Sequence, residues 1–188
     1  MKEIVLDLET QHAFGATRAD PGRLKISLVG IYRYETDSYE AYREEELSKL
    51  WPIIEHADRI IGFNLFHFDY PVMVPYYPGK WQKFPTLDIF AHAEKTLGFR
   101  VGLDAIAQAT LGHGKTGTGL DALKFYKAGK WKELEEYCLA DVRVTREVYE
   151  HGLAHKKLKY SNSRGKGEFD VDFTFTKPER SINLSLPL

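Results

Sequence analysis

Hydrophobic and polar residues alternate at the start of the chain. Residues 2–9 divide between two sides of an extended segment, with Ile4, Leu6 and Leu8 on one side and Val5, Asp7 and Glu9 on the other. This period of two residues predicts a β-strand. Apolar and β-branched residues predict further strands at residues 25–34, 38–43, 59–63 and 86–90.

Helical spacing is strongest in the second half of the chain. Apolar residues at steps of three and four predict helices over residues 45–57, 103–111 and 131–156, with Pro52 limiting or kinking the first of them. Residues 156–160 and 168–175 predict a β-hairpin, and the tail from Thr176 shows no periodicity. Strands first and then strands mixed with helices indicate a single α/β domain with a mixed sheet.

Composition and charge narrow the class of protein. The 188 residues are 43% hydrophobic and 28% charged, which is ordinary for a soluble globular domain. A net charge of −1 gives no bulk electrostatic reason to bind nucleic acid, so such a partner must be argued from a site. The single cysteine, Cys138, excludes an intrachain disulfide. We see no signal peptide and no apolar run of membrane-spanning length, and therefore expect a cytoplasmic protein with no membrane partner.

Asp7 and Glu9 would share one face of the first strand. Their apolar neighbours indicate a central strand that is buried on both faces. Two carboxylates close together in such a place repel each other unless a cation neutralises them. The alternative is a solvent-exposed strand, on which acidic residues are common, and this pattern alone does not separate the two.

Asp141 lies in the middle of an apolar stripe on the long predicted helix. The stripe consists of Leu134, Tyr137, Asp141, Val144 and Val148. Tyr137 precedes Asp141 by one helical turn, so its hydroxyl can reach the same small volume as the carboxylate. The alternative is that Tyr137 is a core aromatic residue and that Asp141 pairs with a nearby cation such as Arg143.

A third acidic residue, Asp69, follows the apolar and aromatic segment 60–68. An acid near the end of a strand lies where open α/β sheets build their sites. Pro71 could start a helix directly afterwards, and Asp69 would then be the N-cap of that helix. The two roles are compatible with each other.

Three segments resemble, in order, the motifs of the DEDD 3′–5′ exonucleases. Val5-Leu-Asp-Leu-Glu-Thr resembles the first motif, and Tyr137-Cys-Leu-Ala-Asp resembles the third motif of the tyrosine (DEDDy) subgroup. Phe63-Asn-Leu-Phe-His-Phe-Asp-Tyr-Pro resembles the second motif and is closest to the proofreading domain of family B DNA polymerases. The resemblance implies an α/β, ribonuclease H-like fold with a five-stranded mixed sheet flanked by helices. We expect this exonuclease domain at residues 1–156, and a C-terminal β-hairpin and tail, 157–188, packed on it or extending from it.

The resemblance also implies a reaction, the hydrolysis of terminal phosphodiester bonds. The four acids would bind two divalent cations, Mg²⁺ or Mn²⁺, about 3.5–4 Å apart, through the carboxylate oxygens that these ions prefer. Asp7 would bridge both ions, and Glu9 and Asp141 would bind the first. Asp69 would approach the second ion, and Tyr137 would orient the attacking water.

Nucleic acid with a single-stranded 3′ end, with DNA favoured, is the expected substrate. The residues expected to contact it are Thr10, His12, Phe14, Asn64 and Phe68. Asn64 could instead brace its own loop, and Asp88 resembles an acid whose role in this family is usually structural. A basic stretch could follow phosphates or could be a solvated helix face. It comprises Lys115, Lys124, Lys127, Lys130 and Lys132.

Two other functions stay open at the level of sequence. One is a nuclease of the same fold that acts on RNA, because catalytic acids do not distinguish the 2′-hydroxyl group. The other is a non-catalytic module that binds nucleic acid or acts as a scaffold, although every signature acid is present. A polymerase or a helicase is a candidate partner, and the sequence does not indicate an oligomeric state.

Overall fold

A five-stranded mixed sheet forms the centre of the computed structural model, which describes residues 1–13, 20–115 and 117–177. Its strands are β1 (Glu3–Thr10), β2 (Ile26–Arg33), β3 (Ser38–Arg43), β4 (Arg59–Gly62) and β5 (Thr86–Asp88). Their order is β3-β2-β1-β4-β5, with β1, β2 and β3 antiparallel and with β4 and β5 parallel to β1. The predicted mixed sheet is confirmed, and β1 is its central strand.

Helices cover both faces of this sheet. They are α1 (Leu47–His56), α2 (Tyr70–Met73), α3 (Ile89–Leu97), α4 (Leu103–Leu111), α5 (Gly119–Lys127) and α6 (Trp131–His155). Ile4, Leu6 and Leu8 pack in one core cluster with α1 and α2, while Val5 packs in the opposite cluster with α3, α4 and α6. The predicted alternation along the first strand is therefore confirmed. In the part of the chain that the structure describes, no helix combines the length and the apolarity that crossing a membrane requires.

The predicted strand at residues 86–90 was wrong for its last two residues. The strand ends at Asp88, and α3 begins at Ile89. The Asp88 carboxylate accepts hydrogen bonds from the backbone N–H groups of Phe90, at 3.0 Å, and Ala91, at 3.3 Å. This N-cap satisfies the free amides of the first helical turn and fixes where the helix starts.

The C-terminal hairpin consists of β6 (Lys157–Asn162) and β7 (Gly165–Asp170). The prediction gave it too long a turn and extended its second strand to residue 175. The first strand continues to Asn162, and the tight turn ends at Gly165, whose φ of 127° is poorly tolerated by other residues. Beyond β7 the chain runs back over α6. Leu158, Phe169, Val171 and Phe173 are all buried in the core cluster that contains Val5.

A buried ionic network connects this C-terminal segment to the centre of the sheet. Arg59 donates hydrogen bonds to Glu3 Oε1 at 2.7 Å, to the Phe173 carbonyl at 2.9 Å and to the Tyr149 hydroxyl at 2.6 Å. Arg59 is 4% exposed and Glu3 is 6% exposed, so the charges compensate each other away from water. The network joins β1, β4, α6 and the C-terminal segment at one point.

Candidate active site

Three carboxylates meet at the carboxyl end of β1. Asp7, Glu9 and Asp141 each offer an oxygen atom, and these oxygens all lie within 4.8 Å of one another. Asp7 and Glu9 project from the face of β1 that carries Val5, and Asp141 reaches them from α6, which packs on the same face. The sequence prediction that these three residues converge agrees with this arrangement.

A glycine on the neighbouring strand allows α6 to approach this closely. Gly30 pairs with Asp7 across the β1–β2 ladder. A Cβ atom at Gly30 would lie 2.8 Å from the Cys138 sulfur and 3.1 Å from a Val142 methyl, closer than real Cβ contacts allow at the sulfur. At this point α6 rests directly on the backbone of β2. Asp141 lies on the helical turn between Cys138 and Val142 and faces the end of β1.

Asp69 reaches the site from a helical turn that follows β4. The turn, Leu65–Asp69, has π-helical geometry and begins at Asn64, whose φ is 69°. The Asp88 carboxylate fixes its start by accepting from the backbone N–H of Asn64 at 2.8 Å and of Phe66 at 3.0 Å. Asp88 is therefore structural, as predicted. The Asp69 side chain makes no capping bond to α2, so the predicted N-cap role is wrong.

Burial raises the pKa values of all four acids, and the charge of a neighbouring acid adds to this effect at Asp7, Glu9 and Asp69. Burial, followed by the charge of Asp141, raises the pKa of Asp7 to about 7. Burial and the charge of Asp7 raise the pKa of both Glu9 and Asp69 well above the usual carboxyl range. Burial also raises the pKa of Asp141, against an opposing effect of Lys115. Carboxylates held together at this cost are expected where a cation binds.

Buried oxygen atoms at the site lack partners within the described part of the chain. Asp69 Oδ1, Asp141 Oδ1 and the Tyr137 hydroxyl are all buried without a hydrogen bond of normal geometry. Leaving such a group unsatisfied costs about 1–3 kcal/mol, and more when it is charged. An oxygen-preferring divalent cation would satisfy the two carboxylates, so the residues present fit the predicted metals.

Tyr137 lies one turn before Asp141 on α6 and is 6% exposed. Its hydroxyl is near enough to lower the pKa of Asp141. Burial, and then the charge of Asp141, raises the pKa of Tyr137 itself above the ordinary phenol value. The phenol therefore stays protonated at neutral pH and can donate a hydrogen bond, but it cannot serve as a base.

The cation that pairs with Asp141 is Lys115, not Arg143. Lys115 Nζ lies 2.5 Å from Asp141 Oδ2, whereas the Arg143 guanidinium lies over the ring of Tyr39. Other lysines of the predicted basic stretch pair with acids on helix surfaces, in the pairs Lys124–Asp121, Lys130–Glu133 and Lys132–Glu136. These three lysines therefore lie on solvated helix faces, which was one of the two alternatives that the sequence left open. The sequence carried no signal that separated Lys115 from them.

One cleft of about 650 Å³ contains the whole arrangement. Among the residues predicted from sequence, those that line it are Asp7, Glu9, Asp69, Tyr137, Asp141, Thr10, His12, Asn64 and Phe68. Phe14, also predicted, lies outside the described residues. Asn64 helps to fix its turn through its backbone N–H and also lines the cleft, and its predicted contact with substrate stays a prediction.

An apolar wall of the cleft was missed by sequence reasoning. It comes from α4 and α5 and includes Leu103, Leu120 and Leu123. Leu120 is 63% exposed, so it presents an apolar surface to the open cleft. The sequence did contain a signal for α5, because Thr118 and Asp121 form the capping box at which this helix starts.

Comparison with known proteins identifies related sequences and folds. A sequence model of the RNase H superfamily matches residues 4–152 of this chain. A search of curated proteins found no significant match. Among solved structures, the family B DNA polymerase from the hyperthermophilic archaeon Pyrobaculum calidifontis is similar, with a TM-score of 0.60 and 14% identity. The match covers 81% of this chain and 24% of that chain, so this protein corresponds to about a quarter of the polymerase.

Proposed function

Because the chain belongs to the RNase H superfamily, we propose that it is a metal-dependent 3′–5′ exonuclease of the DEDDy subgroup. It would hydrolyse the terminal phosphodiester bond of a nucleic acid strand. The observation that carries this proposal is the convergence of four acids and one tyrosine in a single cleft, with unpaired buried oxygens on Asp69, Asp141 and Tyr137. Buried oxygens with a purely structural role would instead be expected to accept hydrogen bonds from donors.

Two divalent cations, Mg²⁺ or Mn²⁺, fit this set of ligands. The charge of Asp7 raises the pKa of both Glu9 and Asp69, so Asp7 is the acid that we expect to contact both ions. Glu9 and Asp141 would hold one ion together with Asp7, and Asp69 would hold the other. When bound, such ions lower the pKa of a water and neutralise charge on the leaving 3′ oxygen.

The remaining groups of the cleft would position water and substrate. The Tyr137 hydroxyl, protonated and without a partner of normal geometry, would hold the attacking water in line with the phosphorus. Thr10, His12, Asn64 and Phe68 would contact the terminal nucleotide, and Leu120 would offer an apolar surface to its base. These assignments give each polar group a separate role in the reaction.

Single-stranded DNA is the substrate that we favour, because the similar solved structure is a DNA polymerase. A polymerase or a helicase would then be a natural partner. The runner-up is an RNA-directed nuclease that uses the same acids. A non-catalytic binding module is less favoured, because it would have no use for unpaired carboxylate oxygens.

Digestion of single-stranded DNA and RNA of equal sequence tests the proposal. Strands labelled at the 5′ end would be incubated with Mg²⁺, with Mn²⁺ and with EDTA. We expect progressive shortening with either metal, faster on DNA, and none in EDTA. Ca²⁺, which is larger and less demanding in geometry, should permit binding with little turnover. Full activity in EDTA would rule out the metal-dependent reaction, and equal or greater activity on RNA would favour the runner-up.

A further inference from the structure

The side chain of Lys115 reaches the acidic cluster and pairs with Asp141. Its ammonium lies 2.5 Å from Asp141 Oδ2, and the two side chains are 28% and 2% exposed. Asp141 therefore has one oxygen paired with Lys115, while the other, Oδ1, has no partner of normal geometry among the described residues. The contact is short enough for a strong, charge-assisted hydrogen bond.

The same ammonium acts on the other acids of the cluster. Burial lowers the pKa of Lys115, but the charges of Asp7, Asp141 and Glu9 outweigh this effect and raise it overall. In return Lys115 lowers the pKa values of those three carboxyl groups. One positive charge thus lies beside three carboxyl groups and favours their ionised forms, which would otherwise repel each other.

The backbone around Lys115 holds the side chain in this place. The Lys115 N–H donates to Asp104 Oδ1 at 2.9 Å, which ties the loop to the first turn of α4. At Gly114 a Cβ atom would lie 2.1 Å from the same Asp104 oxygen, so a side chain there would push the Asp104 carboxylate away from the loop. On the other side of Lys115, a Cβ atom at Gly117 would lie 3.1 Å from the Tyr137 ring. The loop therefore rests against both α4 and the tyrosine of the site.

We propose that Lys115 is an internal counter-ion, which occupies the cation position beside Asp141 in the metal-free protein and competes there with the divalent metal. The inference rests on the proposed metal centre, because Asp141 is one of its ligands. A divalent cation on Oδ1 and the ammonium on Oδ2 would share one carboxylate, and their positive charges would repel each other across it. Metal binding at Asp141 is therefore weakened while Lys115 stays in place, and it favours movement of the ammonium away from Oδ2.

The affinity of the protein for Mn²⁺ in the absence of nucleic acid tests this role. We expect Lys115→Gln to bind Mn²⁺ more tightly, on the order of tenfold, because a charged contact of ordinary strength no longer has to be broken. A lysine with a merely structural role would give the opposite result, since a damaged site binds metal more weakly. Lys115→Arg keeps the charge and should bind Mn²⁺ about as wild type does. Lys124→Gln removes a lysine that pairs with Asp121 on the surface, and it serves as the matched control without effect.

Two results would separate failure of this inference from failure of the metal centre. If wild type and Lys115→Gln both bind no Mn²⁺, the metal centre itself is wrong, and the counter-ion role is wrong with it. If wild type binds Mn²⁺ but Lys115→Gln binds it equally or more weakly, only the counter-ion role is wrong. A variant that changes nucleic-acid affinity alone would make Lys115 a phosphate contact and would also overturn the proposal.

A second measurement on wild-type protein covers the case in which Lys115→Gln does not fold. Lysine side chains would be methylated reductively through their deprotonated amines, with and without Mn²⁺, and the methylation would be quantified by peptide mass spectrometry. We expect Mn²⁺ to increase the labelling of Lys115 several-fold, because the metal displaces it from Asp141, and to leave the labelling of Lys124 unchanged. The proposal would be contradicted if Mn²⁺ left the labelling of Lys115 unchanged or decreased it.

Discussion

Interactions between individual charged side chains determine the pKa values of the acids in the cleft. The charge of Asp141 raises the pKa values of Asp7 and Glu9, and Lys115 lowers the pKa values of all three carboxyl groups. Tyr137 is uncharged at neutral pH and contributes a hydroxyl donor in place of a further charge. Substitutions of these residues should therefore separate into effects on stability, on metal affinity and on turnover.

The pKa of Asp7 predicts how the stability of the metal-free protein depends on pH. A carboxyl group whose pKa rises to about 7 on folding stabilises the folded state at low pH, and that contribution is lost as the pH increases through 7. Metal-free protein should consequently melt at a lower temperature at pH 8 than at pH 6. Asp7→Asn should flatten this dependence and raise the melting temperature at pH 8 by several degrees, at about 2–4 °C per kcal/mol.

Asp121, whose pKa is lowered and not raised, provides the control for Asp7. Hydrogen bonds from Lys124 and Thr118 lower the pKa of Asp121 to about 2, so Asp121→Asn should lower the melting temperature at pH 8. Both variants would be scanned without metal at pH 6 and pH 8. If Asp7→Asn also melts well below wild type at pH 8, Asp7 is a structural residue and the repulsion account is wrong.

Tyr137→Phe should separate orientation of water from metal binding. The change removes only the hydroxyl and keeps the ring that packs on α6, so fold and metal affinity should be nearly unchanged. Turnover at saturating Mg²⁺ should fall on the order of 10²-fold, the lower end of what a positioned proton-handling group contributes. Asp141→Asn, one turn away, should weaken Mn²⁺ binding as well as turnover.

Calorimetry of both variants decides between these roles. A fully active Tyr137→Phe protein would reduce the tyrosine to a core residue. Loss of metal affinity in Tyr137→Phe, comparable to that in Asp141→Asn, would show that the hydroxyl supports the ligand and does not position water.

At the scale of elements, the site depends on how closely α6 packs on β2. Gly30→Ala would place a methyl group 2.8 Å from the Cys138 sulfur, and the helix would have to shift. We expect a loss of about 1–3 kcal/mol in the free energy of unfolding, as is usual for overpacked cores. Because Asp141 moves with α6, Mn²⁺ affinity should decrease as well.

Gly119→Ala is the matched control for this substitution. Gly119 is the first residue of α5, and a Cβ atom there would meet nothing within 4 Å. The melting temperature of the Gly119→Ala protein should therefore equal that of wild type or rise slightly. Denaturant titration of both variants gives the comparison. A Gly30→Ala protein with wild-type stability and wild-type metal affinity would contradict the proposed role of the close contact.

The elements that sequence predicted best are those with long regular patterns. The alternation in β1 and the stripe along α6 were sufficient to bring Asp7, Glu9 and Asp141 to one site. By contrast, the start of α3 depends on the Asp88 cap, and this short signal was obscured by the apolar residues on either side of it. The position of Lys115 depends on the hydrogen bond from its backbone N–H to Asp104 and on the close approach of Gly114 to that side chain, which no periodicity encodes.

At the scale of the whole molecule, the segment after the hairpin is part of the main core. Phe173 is fully buried, stacks on Tyr149 and contacts the backbone of α6 at Gly152. Its carbonyl also accepts a hydrogen bond from Arg59 at the centre of the sheet. We therefore expect residues 157–173 to stabilise the fold in addition to extending it.

Phe173→Ala measures that contribution. A cavity at a fully buried aromatic residue costs about 3–5 kcal/mol, and we expect a loss of that size in a denaturant titration. Phe66→Ala is the control, because Phe66 is 48% exposed and its removal should change stability by less than about 1 kcal/mol. Equal stability of the two variants would mean that the C-terminal segment is an appendage.

Polarity of degradation is the most direct test of the central claim, that the protein is a metal-dependent 3′–5′ exonuclease. A single-stranded DNA labelled at its 5′ end would be supplied with either a free or a chemically blocked 3′ end, with Mg²⁺ present. We predict a ladder that shortens from the 3′ end of the free strand, no cleavage of the blocked strand, and no ladder with Asp7→Asn. Internal fragments from the blocked strand, or an Asp7→Asn protein as active as wild type, would contradict the account.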